Sequence, residues 1–352
     1  MATYRGRERC RERIHALAGS AADDESLQRE AVVELRRAIG FDRWCWSLAD
    51  PDTLVPGNGM ADHDYGPSLP RALELEYSGH DVGTKAAIAR RRTSSGSLRT
   101  DTGGDLARSP RWEEVLGPVG IGDVAAVACR DSFGCWGWVE LYRDRSDHAF
   151  ADVDVELLGL LGPALGTALR RRVTVRPAAE GSATVPPPGV LVLDADLGLV
   201  SQTAAARAWT AAMPGAAMFA HWGMLHAVVY PVATLARGGD VDRAHAMLPA
   251  GDGTWIRIEA APLEGDGASQ VAVTVRAGSP GETSDLVCRA RGLTRREREV
   301  AALLLAGLGT EDVTRRLHIS RYTLQDHLKS IFAKLGVHSR TELVAALTAT
   351  SH

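Results

Sequence analysis

The chain has 352 residues, 45% of them apolar and 24% charged, the composition of an ordinary water-soluble protein with room for two or three domains. No apolar run approaches the ~20 residues of a membrane span, and the Arg-rich start "MATYRGRERCRERIHALAG" lacks a signal peptide's apolar core, so a cytoplasmic location is expected. Net charge is −4, but residues 289–352 hold 11 Lys/Arg against 6 Asp/Glu, a surplus of +5, which points to a polyanion partner for the tail alone. The five scattered cysteines form no C-x-x-C pair, so reduced thiols and no structural zinc are expected.

In chain order, a basic N-terminal helix precedes "DDESLQREAVVELRRAIG", a helix with Leu27, Leu35 and Ile39 on one side and Gly40 placed to end it. "FDRWCWSLAD" alternates as a strand, with Trp44, Trp46 and Leu48 facing one way. "IGDVAAVACRD" and "GCWGWVELYRD" predict a hairpin turning at residues 132–134, with Trp136 and Trp138 on one face. "ADVDVELLGLLGPALGTALRRR" predicts a helix with an apolar stripe that includes Leu157, Leu161 and Leu165. After a Pro-rich stretch, "GVLVLDADLGLVSQT" reads as two strands turning at "DADLG", followed by a helix over "AAARAWTAAM". "TWIRIEAAPLE" and "QVAVTVRAG" read as an antiparallel pair. "RAGSPGETSD" carries no period and reads as a connector.

The tail is helical. Thr294 and Glu297, and again Ser339 and Glu342, stand at capping-box spacing. "TEDVTRRLHI" is a short helix, and Ser320 is an N-cap for "RYTLQDHLKSIFAKL". Only "HIS" separates these two helices, a spacing that suits a helix-turn-helix. In the second helix Leu324, Leu328, Ile331, Phe332 and Leu335 form the apolar stripe, while the opposite face is polar. Gln pairs with adenine, Lys with guanine and Asp with cytosine in a major groove. Arg295, Arg296 and Arg298 read as a solvated face with some phosphate contact, and His327 as a packed histidine.

The stretch "LTRREREVAALLLAGLGTEDVTRRLHISRYTLQDHLKSIFAKLGVHSRTELVAAL" closely resembles the DNA-binding domain of the LuxR/NarL/FixJ transcription factors. The elements that match are LT-x-RE-x-EV, L-x-IS-x-x-T, H-L-K-x-I-x-x-K-L-G and S-R-x-E-L. The resemblance implies a recognition helix at 320–335, with Gln325, Asp326 and Lys329 facing bases and Arg321, Tyr322, Thr323 and Lys334 facing the DNA backbone. It further implies double-stranded DNA and RNA polymerase as partners, and a dimer surface on the last helix. Thr314 stands where Ala is usual, and His318 where Gly is common.

The front of the chain lacks the acidic pair, strand-end Asp and Lys of a phosphorylated receiver. Its helix–strand order and long closing helix resemble a GAF domain, and the second segment resembles a PAS domain. The expected architecture is therefore multidomain: an α+β GAF-like domain over 1–172, a linker over 173–187, an α+β PAS-like domain over 188–277, a linker over 278–288, and an all-α four-helix LuxR-type domain over 289–352. Trp44, Trp46, Trp112, Trp136 and Trp138 read either as lining for a flat ligand or as plain core. Leu157, Leu161 and Leu165 suggest a homodimer seam. The pair His221 and His226 is spaced i, i+5, off one helical face, and so argues against a metal. His80–Asp81 has no partner histidines, and no G-x-S-x-G, P-loop or H-E-x-x-H appears, so catalysis, a cofactor and a metal are not expected. The expected function is a one-component transcriptional regulator controlled by a small molecule; the rival is a platform that only dimerises or docks a protein.

Overall fold

The computed structural model describes residues 4–20, 23–62, 65–173, 185–250, 254–265 and 269–349. Most of the Pro-rich connector, residues 174–184, lies outside them.

Helices α1 (Tyr4–Ser20) and α2 (Asp24–Ala38) open the first unit. The Asp23 carboxylate caps α2, accepting from the Ser26 amide at 2.8 Å, and Gly40 at φ +73° turns the chain into the sheet. The sheet contains β1 (Arg43–Ala49), β2 (Pro56–Ala61), β3 (Ser95–Ser97), β4 (Ile121–Asp131) and β5 (Gly134–Asp144), in the order β2-β1-β5-β4-β3 and antiparallel throughout. Between β2 and β4 run α3 (Leu69–Tyr77), α4 (Lys85–Ala89), α5 (Leu98–Asp101) and a single π-helical turn at Trp112–Leu116. The unit closes with α6 (Asp152–Val173).

Strand alternation divides this sheet into two faces. Trp44, Trp46, Val127, Val139 and Leu141 pack beneath α1, α2 and α6. Close approach of α6 needs residues without side chains: a Cβ on Gly166 would lie 2.6 Å from the Arg130 amide nitrogen. The opposite face carries Cys45, Val124, Trp138, Glu140 and Tyr142.

Two expectations are corrected here. Trp136 and Trp138 do not share a face. Cys129 pairs with Gly137 but Arg130 with Cys135, so Trp136 is the extra residue of a β-bulge. The bulge resets the alternation, sending Trp136 under α6 and Trp138 to the other side against α4. Leu157, Leu161 and Leu165 are not available as a dimer seam either. They are at most 4% exposed and fill the core between α6 and its own sheet. The outward side of α6 presents Val153 and Leu160 instead, 41% and 58% exposed.

The second unit comprises β6 (Gly189–Leu193), β7 (Leu199–Gln202), α7 (Ala204–Ala212), α8 (Ala216–His221), α9 (Val229–Arg237), β8 (His245–Pro249), β9 (Trp255–Pro262) and β10 (Val271–Ala277). Its strand order, β7-β6-β10-β9-β8, repeats that of the first sheet, although no sequence repeat betrays it. Helix α9 is buried nearly all round because it lies between this sheet and α3. Val55 and Tyr77 of the first unit belong to the same core.

The stretch 278–288 is no linker. Residues Pro280–Ala290 form helix α10, with Ser279 and Glu282 in a complete capping box and Pro280 at the first position. The S-P-G-E signal was present in the sequence, but its Gly and Pro content mimicked a connector. Helices α11 (Arg295–Leu305), α12 (Thr310–Leu317), α13 (Arg321–Leu335) and α14 (Arg340–Ala349) follow. They pack on a core of Val300, Leu304, Val313, Leu324, Ile331 and Leu343.

Candidate functional sites

Helix α13 begins at Ser320, whose hydroxyl accepts from the Thr323 amide at 3.0 Å. Its apolar side anchors on Leu324 and Ile331, both fully buried. The 3.6-residue period then turns Arg321, Tyr322, Gln325, Asp326 and Lys329 outward, and all are exposed. Gln325 and Lys329 lie one turn apart on one side. Tyr322 is 87% exposed, an unusual position for a large ring that packs on nothing. Thr323 is committed in part to the cap, its hydroxyl lying 2.9 Å from that of Ser320.

The turn from α12 to α13 has a specific geometry. The Ile319 amide donates to Thr314 at 3.1 Å and the His318 amide to Arg315 at 3.4 Å, a Schellman ending with His318 in the left-handed region at φ +52°. Helix α11 ends in the same way on Gly307 at φ +85°, and α13 ends on Gly336 at φ +70° with the Gly336 and Val337 amides both donating to Phe332. The departure at His318 therefore falls on a backbone position that favours glycine.

Not every cation of the module points to solvent. The Lys334 ammonium lies 2.6 Å from the buried Glu297 carboxylate, so Lys334 braces α13 against α11 and is not a free phosphate contact. Glu297 also accepts from the Ser330 hydroxyl at 2.6 Å and the Thr294 amide at 2.7 Å. Burial alone would raise its pKa; these donors overrule burial and hold it at about 2. Arg298 grips Asp285 at 2.6 and 2.7 Å, and Arg296 donates to the Leu317 carbonyl. Arg295, with its side chain 89% exposed, is the member of that trio left facing solvent. His327 is half-buried.

A compact set of short helices that offers Gln, Asp and Lys on one exposed face, beside a tight turn, defines a helix-turn-helix DNA-binding module. The luxR family of bacterial regulatory proteins matches residues 291–347. The spore germination protein GerE of Bacillus subtilis is 40% identical over 55 residues, covering 16% of this chain and 74% of GerE. The chain belongs to that family and carries a luxR-type DNA-binding domain. A putative HTH-type transcriptional regulator of Aeromonas salmonicida is 51% identical over 51 residues, 14% of this chain and 26% of that protein. One from Mycobacterium tuberculosis is 47% identical over 52 residues, 15% of this chain, and the chain spans only 6% of that protein's length. A solved structure, a VqmA–ligand–DNA complex from Vibrio cholera, is 18% identical, covering 47% of this chain and 83% of that one, with a TM-score of 0.22.

The five tryptophans do not surround a common space. Trp44, Trp46 and Trp136 are core beneath the helices, Trp138 packs against α4, and the Trp112 indole donates to the Ile121 carbonyl at 2.9 Å. A cavity of about 230 Å³ opens instead on the opposite face of the first sheet. Its floor includes Ser47, Glu140 and Tyr142, the strand positions that alternate with the buried tryptophans and aliphatics. Leu69, Ala72 and Leu73 of α3 form one wall. Met218, Phe219 and Trp222, from α8 and its end, form another.

Two buried ion pairs sit in its lining. The Lys85 ammonium is 2.8 Å from Glu140, and the Arg111 guanidinium contacts Glu76. Arg111 Nε also lies 3.0 Å from Asp81, which accepts from the Ser109 hydroxyl at 2.6 Å. Asp81 is thus a structural counter-ion, and its neighbour His80 is exposed. Burial pushes the Cys45 thiol, also in the lining, up to about 12. His226 is buried with Nε2 3.0 Å from the Pro214 carbonyl and Nδ1 accepting from the Val228 amide at 3.3 Å; burial lowers its pKa to about 4. It holds a loop together as a neutral ring.

Proposed function

We propose that the chain is a transcriptional regulator that reads DNA sequence through Gln325, Asp326 and Lys329, with Arg321, Tyr322 and Thr323 on phosphates, and that a small molecule bound in the front of the chain controls it. The observation that carries the control reading is α10. Leu286 and Ala290 of this helix sit in the core of the first unit, while its Val287 and Cys288 sit in the core of the DNA-binding module. A change in the first unit therefore reaches the module through packed side chains. The GAF-like and PAS-like readings of the two units are supported by their antiparallel sheets and the helices inserted between strands. The protein works as a homodimer on a two-fold site, pairing through the outward face of α14 and not through the α6 leucines.

The test is site selection on random DNA with the full chain, followed by substitution. Lys329→Ala should cost on the order of 1–3 kcal/mol on the selected site and relax preference at one base. Arg321→Ala should weaken all sequences alike and lower the salt slope by about one. Unchanged specific binding by Lys329→Ala would remove α13 from the base-reading role.

A further inference from the structure

We infer that the effector site lies between the two α+β units, in the cavity under α8, and that it takes a neutral, largely apolar, ring-bearing molecule. The inference rests on the small-molecule reading above and names its site and ligand class.

The cavity belongs to neither unit alone. Its floor and one wall come from β1, β5 and α3, while Met218, Phe219 and Trp222 come from a segment more than seventy residues further along the chain. Nearby, the two units are tied by fixed contacts. Asp50 accepts from the Met247 amide at 2.9 Å, Arg243 donates to the Thr53 carbonyl at 3.1 Å, and Arg237 pairs with Glu74. The α8 segment differs from that seam. Met218 and Trp222 line the cavity yet remain 52% and 40% exposed, so large apolar side chains stand at its mouth without being covered. A ligand in the cavity would bury both and join α8 to the first sheet.

The ligand class follows from the charges. Lys85 is matched by Glu140 and Arg111 by Glu76, each pair buried. A charged ligand would have to break a pair or enter without a counter-ion, and either is costly in an apolar space. A neutral ring lying on Leu69, Ala72, Leu73 and Trp222 meets no such cost. Ser47, in the lining, supplies a hydroxyl for a hydrogen bond to a hydroxyl or amide on that ring, near the Tyr65 and Tyr142 hydroxyls, which bond each other.

The experiment compares three probes of one shape on the full chain by equilibrium dialysis: 2-naphthol, which is neutral, 2-naphthoate, an anion, and 2-naphthylmethylamine, a cation. 2-Naphthol should bind at least about tenfold more tightly than either ion. Trp222→Ala, at the exposed mouth, and Ala72→Phe, which fills the wall, should each weaken it by at least about tenfold. Val241→Ala, exposed and outside the lining, should leave it unchanged. Equal or tighter binding of an ion overturns the ligand class. Loss with Ala72→Phe but not with Trp222→Ala confines the site to the first unit. Binding indifferent to both substitutions, or no binding of any probe, removes the cavity as the site. DNA affinity measured alongside separates this inference from the reading beneath it. Should 2-naphthol bind as stated without shifting DNA affinity, the site stands and ligand control falls. A compound that shifts DNA affinity while ignoring both substitutions has the reverse meaning.

Discussion

His318 and Glu297 show how single residues depart from what their types suggest. Three helices of the module end in the left-handed backbone, and His318 is the one of the three that is not glycine. A Cβ in that conformation costs roughly 1–2 kcal/mol. His318→Gly should therefore stabilise the module by about 1 kcal/mol, less the entropy that glycine returns to the unfolded chain. Thermal melting would show this as a rise in Tm, and a fall would mean that the imidazole makes a compensating contact. Glu297 ties α11 to α13 with a pKa held at about 2, below the ordinary carboxylate value of 4.5. A lowered folded pKa stabilises above the unfolded value and is lost as pH falls through the folded one. Acid titration should thus erode the module between about pH 4.5 and pH 2 by roughly 3 kcal/mol, and Glu297→Gln should flatten that slope. An unchanged slope in Glu297→Gln would assign the acid sensitivity to other carboxylates.

Among elements, α6 and α10 carry the corrections. The α6 stripe was legible, but an apolar stripe does not say whether it faces a partner or its own sheet. Here Gly162 and Gly166 let α6 lie on β4, and the stripe is spent inside the unit. Leu161→Glu should therefore unfold the first unit, with loss of cooperative melting, and not yield a folded monomer. A folded monomer from ultracentrifugation would restore the dimer seam to this helix. For α10, the capping box at Ser279 and Glu282 outweighs the Pro and Gly that suggest a connector. Its amides from Thr283 to Ala290 should exchange hydrogen as slowly as the cores on either side, whereas a loose linker would exchange within seconds.

For the whole molecule, the weld around α10 matters most. Arg170 bonds Asp131 at 2.6 Å and the Ala290 carbonyl at 2.8 Å, and Arg289 meets Asp52 at 2.5 Å. Sheet, α6 and α10 thus form one packed body leading into the module. Breaking it with Arg170→Ala and Leu286→Ala together should leave DNA binding by the module intact but reduce any effector-induced change in DNA affinity. By linkage the effector's own response to DNA must fall by the same factor. Full coupling in that double variant, measured by titrating one ligand in the presence of the other, would route the signal elsewhere.

The sequence by itself determined the DNA-binding module: its caps, its turn and the outward set Gln325, Asp326 and Lys329 all follow from local spacing, because short helices are specified by residues three and four apart. It also marked the β4–β5 hairpin and the paired strands of the second unit through alternation. Only the tertiary structure decided which way the tryptophans face, because one bulged residue, Trp136, inverts a period-two pattern. It alone placed α9, which is buried nearly all round because α3 and the second sheet cover it from two sides. The cavity, too, was beyond local reading: Ser47, Ala72, Glu140 and Trp222 meet across long stretches of chain, and no spacing rule reports a contact made by folding at that distance.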